Sequence, residues 1–145
     1  MIILGIDLGR ARTGVAVCDK NEILASPVCV LNEKNMKALI VKICGIVAEK
    51  NAEEIVLGLP KNMDGSEGES AQFSRKFGEK LEKSAKIPVI MQDERGTTIT
   101  AAGYLNQADV RGVHRKQAID AVAATIILQN YIDYRRNQEY KKTMF

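Results

Sequence analysis

The chain has 145 residues, 46% hydrophobic and 27% charged, the proportions of one ordinary globular domain with one core. No apolar run is long enough to span a membrane, and Met1 leads into an apolar strand with no basic leader, so a cytoplasmic protein without a targeting segment is expected. A net charge of +3 and a pI near 8.8 suit a polyanionic partner without requiring one, while Cys18, Cys29 and Cys44 lie in apolar patterns without C-x-x-C spacing, as free core thiols do.

In the first predicted strand, Ile2, Ile3, Leu4 and Ile6 are apolar on both parities, so both of its faces are expected to be covered. Asp7 interrupts this run. An unpartnered buried charge is costly, so Asp7 calls for a metal, a cluster of donors or the solvated end of the strand. Gly5 and Gly9 share its face and leave room for a ligand or another backbone. Arg10 to Thr13 make a polar turn, and Gly14 to Cys18 read as a returning strand. Glu22 to Val30 reads as a third strand in which Pro27 marks an edge or a bulge. Asn32 is expected to cap a helix over Lys34 to Lys50, where Met36, Leu39, Ile40, Ile43 and Val47 recur at helical spacing.

Glu54 to Leu59 is a buried strand stopped by Pro60, and Lys61 to Ser70 is a loop. Ser70 is expected to cap a helix with Phe73, Phe77 and Leu81 on one face. Pro88 to Gln92 reads as another buried strand, ending in Asp93-Glu94-Arg95. Thr97 or Thr98 caps a short helix to about Ala108, Gln107 to His114 form a loop, and Arg115 begins a long helix. On that helix Asp120 shares a flank with Ala123, Ala124, Ile127 and Tyr131. Arg135 to Phe145 is a charged tail expected to fray. The order implies an α/β domain over residues 1–134. Its five-stranded mixed sheet has three antiparallel strands followed by parallel ones, with helices on both faces.

Parallel strands bring their C-terminal ends together, where ligands bind. Small residues at 121, 123 and 124 let the last helix lie close to the sheet, so Asp7, an acid of the Asp93-Glu94 pair and Asp120 can converge. Strand parity leaves open which of Asp93 and Glu94 faces inward, because both faces of that strand read as buried. Converged carboxylates raise one another's pKa unless a cation is present, and hard oxygen donors suit Mg²⁺ or Mn²⁺. Such ions activate water and stabilise the leaving oxygen of a phosphodiester. Arg10, Arg12, Lys61, Arg95, Arg111, His114, Arg115 and Lys116 frame this acidic centre, which fits a nucleic-acid backbone. With aromatics at 5%, stacking on splayed bases is a minor contribution.

The segments G5-I-D-L-G9 with T13-G-V-A-V17, G58-L-P-K-N-M-D-G65, D93-E-R95 with T97-T98, and I119-D-A-V-A-A124 with I127-L-Q-N-Y131 run in order across nearly the whole chain. In this the chain resembles the YqgF family, also called RuvX, Holliday junction resolvase-like proteins or pre-16S rRNA nucleases. The resemblance implies an RNase H-like fold, a divalent-metal nuclease and a role in maturing the 5′ end of 16S ribosomal RNA. It also implies Asp7, Glu94 and Asp120 as metal-binding catalytic carboxylates, favours Glu94 over Asp93, and places Asn62 near the substrate. Gly96, where the family usually has leucine, and His114 with Gln117, in a stretch commonly richer in Lys and Arg, depart from the pattern without removing a ligand.

Three alternatives stand beside this reading. Branched DNA is the related substrate, and junction resolution needs two active sites, hence a dimer; a monomer or weak dimer is expected here. A non-catalytic RNA-binding module would keep the fold and lose turnover. The G-x-D-x-G hairpin also opens actin-like and sugar-kinase ATPases, but 145 residues leave no room for the second domain that closes over ATP.

Overall fold

The computed structural model describes the backbone of residues 1–94 and 112–144, and the side chains of 1–94 and 121–142. Among the described residues the elements are β1 (Ile3–Asp7), β2 (Arg12–Cys18), β3 (Ala25–Asn32), α1 (Met36–Lys50), β4 (Glu54–Leu59), α2 (Glu69–Ala85), β5 (Val89–Asp93) and α3 (Gly112–Met144). The short helix expected over Thr97 to Ala108 and the loop after it lie outside the described residues, except that Gly112 to His114 already belong to α3.

The five strands form one sheet in the order β3-β2-β1-β4-β5. β1 pairs antiparallel with β2, β2 antiparallel with β3, and β1-β4 and β4-β5 are parallel, the mixed sheet expected. β3 is an edge strand, and its register against β2 shifts between Val15 and Ala16, where Pro27 cannot donate to the ladder.

Side chains alternate across this sheet and build two cores. On one face Leu4, Ile6, Ile55 and Leu57 pack with Ile40, Ile43, Phe77 and Leu81 of α1 and α2. On the other, Ile3, Ala16 and Val56 pack with Ala124, Ile127, Leu128, Tyr131 and Ile132 of α3. The buried stripe of α3 is thus the flank to which the sequence assigned position 120.

Glycine sets how near α3 comes. A Cβ on Gly5 would lie 2.7 Å from Leu128 Cβ and 2.9 Å from the Ala124 carbonyl oxygen, so only a bare backbone fits under the helix. Polar ties fix its rotation. The Tyr131 hydroxyl donates to buried Glu54 Oε1 at 2.6 Å. Gln129 accepts from Ala25 N at 2.8 Å and donates to the Ile23 carbonyl at 3.0 Å.

Several boundaries differ from the sequence reading. β3 begins at Ala25 rather than Glu22, because the Asp19 carboxylate accepts from the N–H groups of Asn21, Ile23 and Leu24 and holds that segment as a turn. Asn35, not Asn32, caps α1, its Oδ1 accepting from Ala38 N at 3.0 Å. Gly68 occupies the cap position of α2, with Ser70 inside the first turn. β5 is half-buried rather than buried, since among the described residues β4 is its one sheet neighbour.

α3 starts at Gly112, before Arg115, and continues to Met144, so the segment expected to fray is helical. Arg135 Nε donates to Glu22 Oε1 at 2.8 Å, while Glu22 Oε2 accepts from the N-terminal amine at 3.1 Å. The Arg, Gln, Glu and Lys residues beyond are good helix formers. No described helix is long and apolar enough to cross a membrane.

Gly5→Ala is expected to destabilise the protein by about 1–3 kcal/mol through overpacking against α3, read as a lower urea midpoint at unchanged m-value.

Candidate active site

Asp7 closes β1, Leu59 closes β4 and Asp93 closes β5, so three neighbouring parallel strands end on one edge of the sheet. Alternation then decides which acids share a face. Ile3 packs on the α3 side and Gly5 lies beneath α3, so Asp7 follows on that face. Val89 and Met91 pack toward α1 and α2, and Ile90 toward α3, so Gln92 and Glu94 continue on the α3 face while Asp93 points away and is exposed. The Glu94 N–H donates to the Leu59 carbonyl at 3.2 Å, which carries the strand pairing one residue past β5 and holds this parity. The choice between Asp93 and Glu94, open on sequence grounds, is thereby decided in space: Glu94 is the one that meets Asp7.

Asp7 and Glu94 lie two strands apart, about 10 Å between backbones, and they meet over β4. The residue between them is Gly58. A Cβ there would lie 2.6 Å from Glu94 Oε2 and 2.7 Å from Ile127 Cδ1, so the bare position is the space that the Glu94 side chain occupies. Gly58 was not singled out as a site residue from the sequence. The signal was available, since a glycine inside an apolar strand marks a close approach.

The Glu94 carboxyl is pushed from 4.5 up to about 8, first by burial, then by the Asp7 charge, by a hydrogen bond to Asp7 and by the Asp93 charge. Burial and the neighbouring Asp7 thus both favour the neutral form of the Glu94 carboxyl, which is the form able to hydrogen-bond to the Asp7 carboxylate.

Asp120 lies on α3 one turn before Ala124, but its side chain, with those of His114, Arg115 and Lys116, lies outside the described residues, as do Arg95 and Arg111 altogether. Among the described residues no group of three or more His, Cys, Asp or Glu side chains is arranged to hold a metal.

The basic residues divide between two faces. Arg12 starts β2 on the face of Asp7, which pairs with Gly14 two residues on. Lys61 follows β4 at the same edge of the sheet. Arg10 turns to the opposite face, its guanidinium 5.1 Å from the centre of the Phe73 ring. Asn62 organises its own loop: its N–H donates to the Ser66 carbonyl at 2.8 Å and its Nδ2 to Ser66 Oγ at 2.9 Å.

A raised carboxyl pKa has a defined sign in stability. The folded chain holds a proton that the unfolded chain releases, so the stabilisation is complete below about pH 4.5 and is lost as pH rises toward 8. The metal-free protein is expected to show a falling urea midpoint across that window, and Glu94→Gln, which keeps the hydrogen bond without the charge, is expected to flatten the profile.

The chain is similar in sequence and in fold to known proteins. A family model described as "RuvX: Holliday junction resolvase" matches residues 1–134. A protein of Caldanaerobacter subterraneus named "Putative pre-16S rRNA nuclease" is 41% identical over 138 residues, 94% of this chain and 99% of its own. One of the same name from Halothermothrix orenii is 43% identical over 135 residues, 93% and 96% of the two chains. The Thermus thermophilus RuvC structure with a Holliday junction substrate superposes with a TM-score of 0.59 at 14% identity, over 94% of this chain and 96% of that one. At that identity the match establishes the fold, which is RNase H-like.

Proposed function

The chain belongs to the RuvX family, a family of phosphodiester-hydrolysing enzymes, and from that premise we propose that it is a divalent-metal-dependent nuclease acting on the 5′ region of precursor 16S rRNA. The observation that carries the reading is the Asp7–Glu94 pair over Gly58, two acids brought together at the sheet edge, with burial and the Asp7 charge raising the Glu94 carboxyl. The relatives at 41% and 43% identity, matched over nearly their full lengths, carry a name that favours rRNA. The description of the family model keeps branched DNA as the second substrate.

The donor set fits a hard cation. Two neighbouring carboxyl groups whose mutual charge disfavours ionising both would be held together as carboxylates by Mg²⁺ or Mn²⁺. Asp7 and Glu94 would hold the ion, and Asp120 completes the set in this proposal, because helical spacing puts positions 120, 124 and 128 on one stripe. When bound, the ion would supply a water activated at neutral pH and charge neutralisation on the phosphoryl oxygens. The chain's own contribution is orientation. Strand parity aims Asp7 and Glu94 at one point, and Gly58 keeps that point open. Arg12 and Lys61, with Arg95, Arg111, His114, Arg115 and Lys116, would hold the phosphate backbone across the strand ends. In this reading the enzyme works in the cytoplasm as a monomer or weak dimer.

A transcript of the pre-16S 5′ leader, incubated with the protein and Mn²⁺ or Mg²⁺, is expected to be cut. Asp7→Asn and Glu94→Gln are each expected to lose about a hundredfold or more in rate while unfolding at or above the wild-type temperature near pH 8. A four-way DNA junction cut under conditions that leave the RNA whole would move the activity to recombination. Equal cutting by both variants would remove the site.

A further inference from the structure

On the side of the sheet away from the carboxylates, a small groove of about 80 Å³ opens between the β1–β2 turn, the start of α1 and the first half of α2. Its floor is apolar, formed by Leu8, Met36 and Phe73, and cations rim it. Arg10 is held over the Phe73 ring. Lys34 stands just before α1, and Lys80 reaches from α2 until its Nζ is 3.8 Å from Met36 Sδ. Lys76 precedes Lys80 by one helical turn, and all four cations are exposed. The one acid lining the groove, Glu33, is engaged by Lys42 at 3.2 Å, so the rim keeps its positive sign.

Two features make this more than scattered surface charge. Glu33 already supplies the anion at the start of α1, its Oε2 accepting from the Asn35 N–H at 3.1 Å while its Oε1 is held by Lys42, so among the described residues no further acid lines the groove to offset Arg10, Lys34 and Lys80. The groove is also continuous with the active site. Asp7 faces α3, and the next residues, Leu8, Gly9 and Arg10, already line the groove, so a strand crossing the end of β1 passes directly from one to the other.

We propose that this groove carries the single-stranded flank of the nucleic-acid substrate, its phosphates on Lys34, Lys80 and Arg10, leading away from the scissile bond over the end of β1. The proposal rests on the nuclease reading for the direction of the strand, but its test reads binding and not cleavage. At 80 Å³ the groove is too small to take a base without opening, so contact is through the backbone and is sequence-independent.

The probes are two fluorescein-labelled RNAs, a hairpin with a 12-nucleotide 5′ single-stranded flank and the same hairpin without it. Affinity is followed by anisotropy from about 50 to 200 mM salt. Lys34→Gln with Lys80→Gln is expected to weaken binding of the flanked RNA about twentyfold near 0.1 M salt and to lower its salt slope by about 1.4, the value for two lost single-strand phosphate contacts. Binding of the flank-free hairpin is expected to stay within about twofold. Lys20→Gln with Lys50→Gln, which removes the same charge elsewhere, is expected to leave both affinities in place. Equal losses on both RNAs, an unchanged slope, or an equal loss in the control pair would each overturn the groove. Failure of the wild-type protein to cut RNA would sink the nuclease reading and leave the binding result standing.

Discussion

Two carboxyl groups from separate strands are held in contact above a residue with no side chain, and much of the molecule is arranged around that contact. Asp7 and Glu94 start from strands separated by β4, and they meet because Gly58 leaves the intervening place empty. Burial and the Asp7 charge raise the Glu94 carboxyl well above its ordinary value. Such an arrangement opposes folding at neutral pH, and it persists because the two cores fix both backbones.

Those cores have separate tasks. The face toward α1 and α2 carries large aliphatic side chains and Phe77. The face toward α3 is built from smaller parts, with Ala16, Gly5 and Gly58 of the sheet opposite Ala124, Ile127 and Leu128 of the helix. Small residues let the helix axis approach and bring its N-terminal half to the edge where the parallel strands end. The polar ties at the far end, Tyr131 to Glu54, Gln129 to the β2–β3 turn and Arg135 to Glu22, set the rotation of the helix about its axis.

Charge is distributed with the same economy. The net excess is +3, and among the described residues the cations near the β1 end sit on both faces of the sheet: Arg12 by the carboxylates, Arg10, Lys34 and Lys80 across from them. A polyanion approaching the strand ends therefore meets attraction on both sides of the acidic centre. That accords with membership of a nuclease family and with an RNase H-like fold.

The sequence by itself determined the strand order, the helices found among the described residues, the mixed sheet and the two-sided burial of β1 and β4, because apolar periodicity and Pro and Gly punctuation are local signals. It also singled out Asp7, since a charge in an apolar run is anomalous wherever the run ends up. Caps and strand starts slipped by a few residues, because the Asp19 and Asn35 side chains compete locally through hydrogen bonds that composition does not rank, and because Gly68 takes the α2 cap position without a side-chain bond. Tertiary structure decided what depends on register. Which of two adjacent acids faces Asp7 follows from the parallel pairing of β5 on β4, and a slip of one residue would exchange Asp93 for Glu94. The empty place at Gly58, the turn of Arg10 onto Phe73 and the helical course beyond Arg135 were likewise settled by contacts between segments distant in the chain, and no local pattern encodes those contacts.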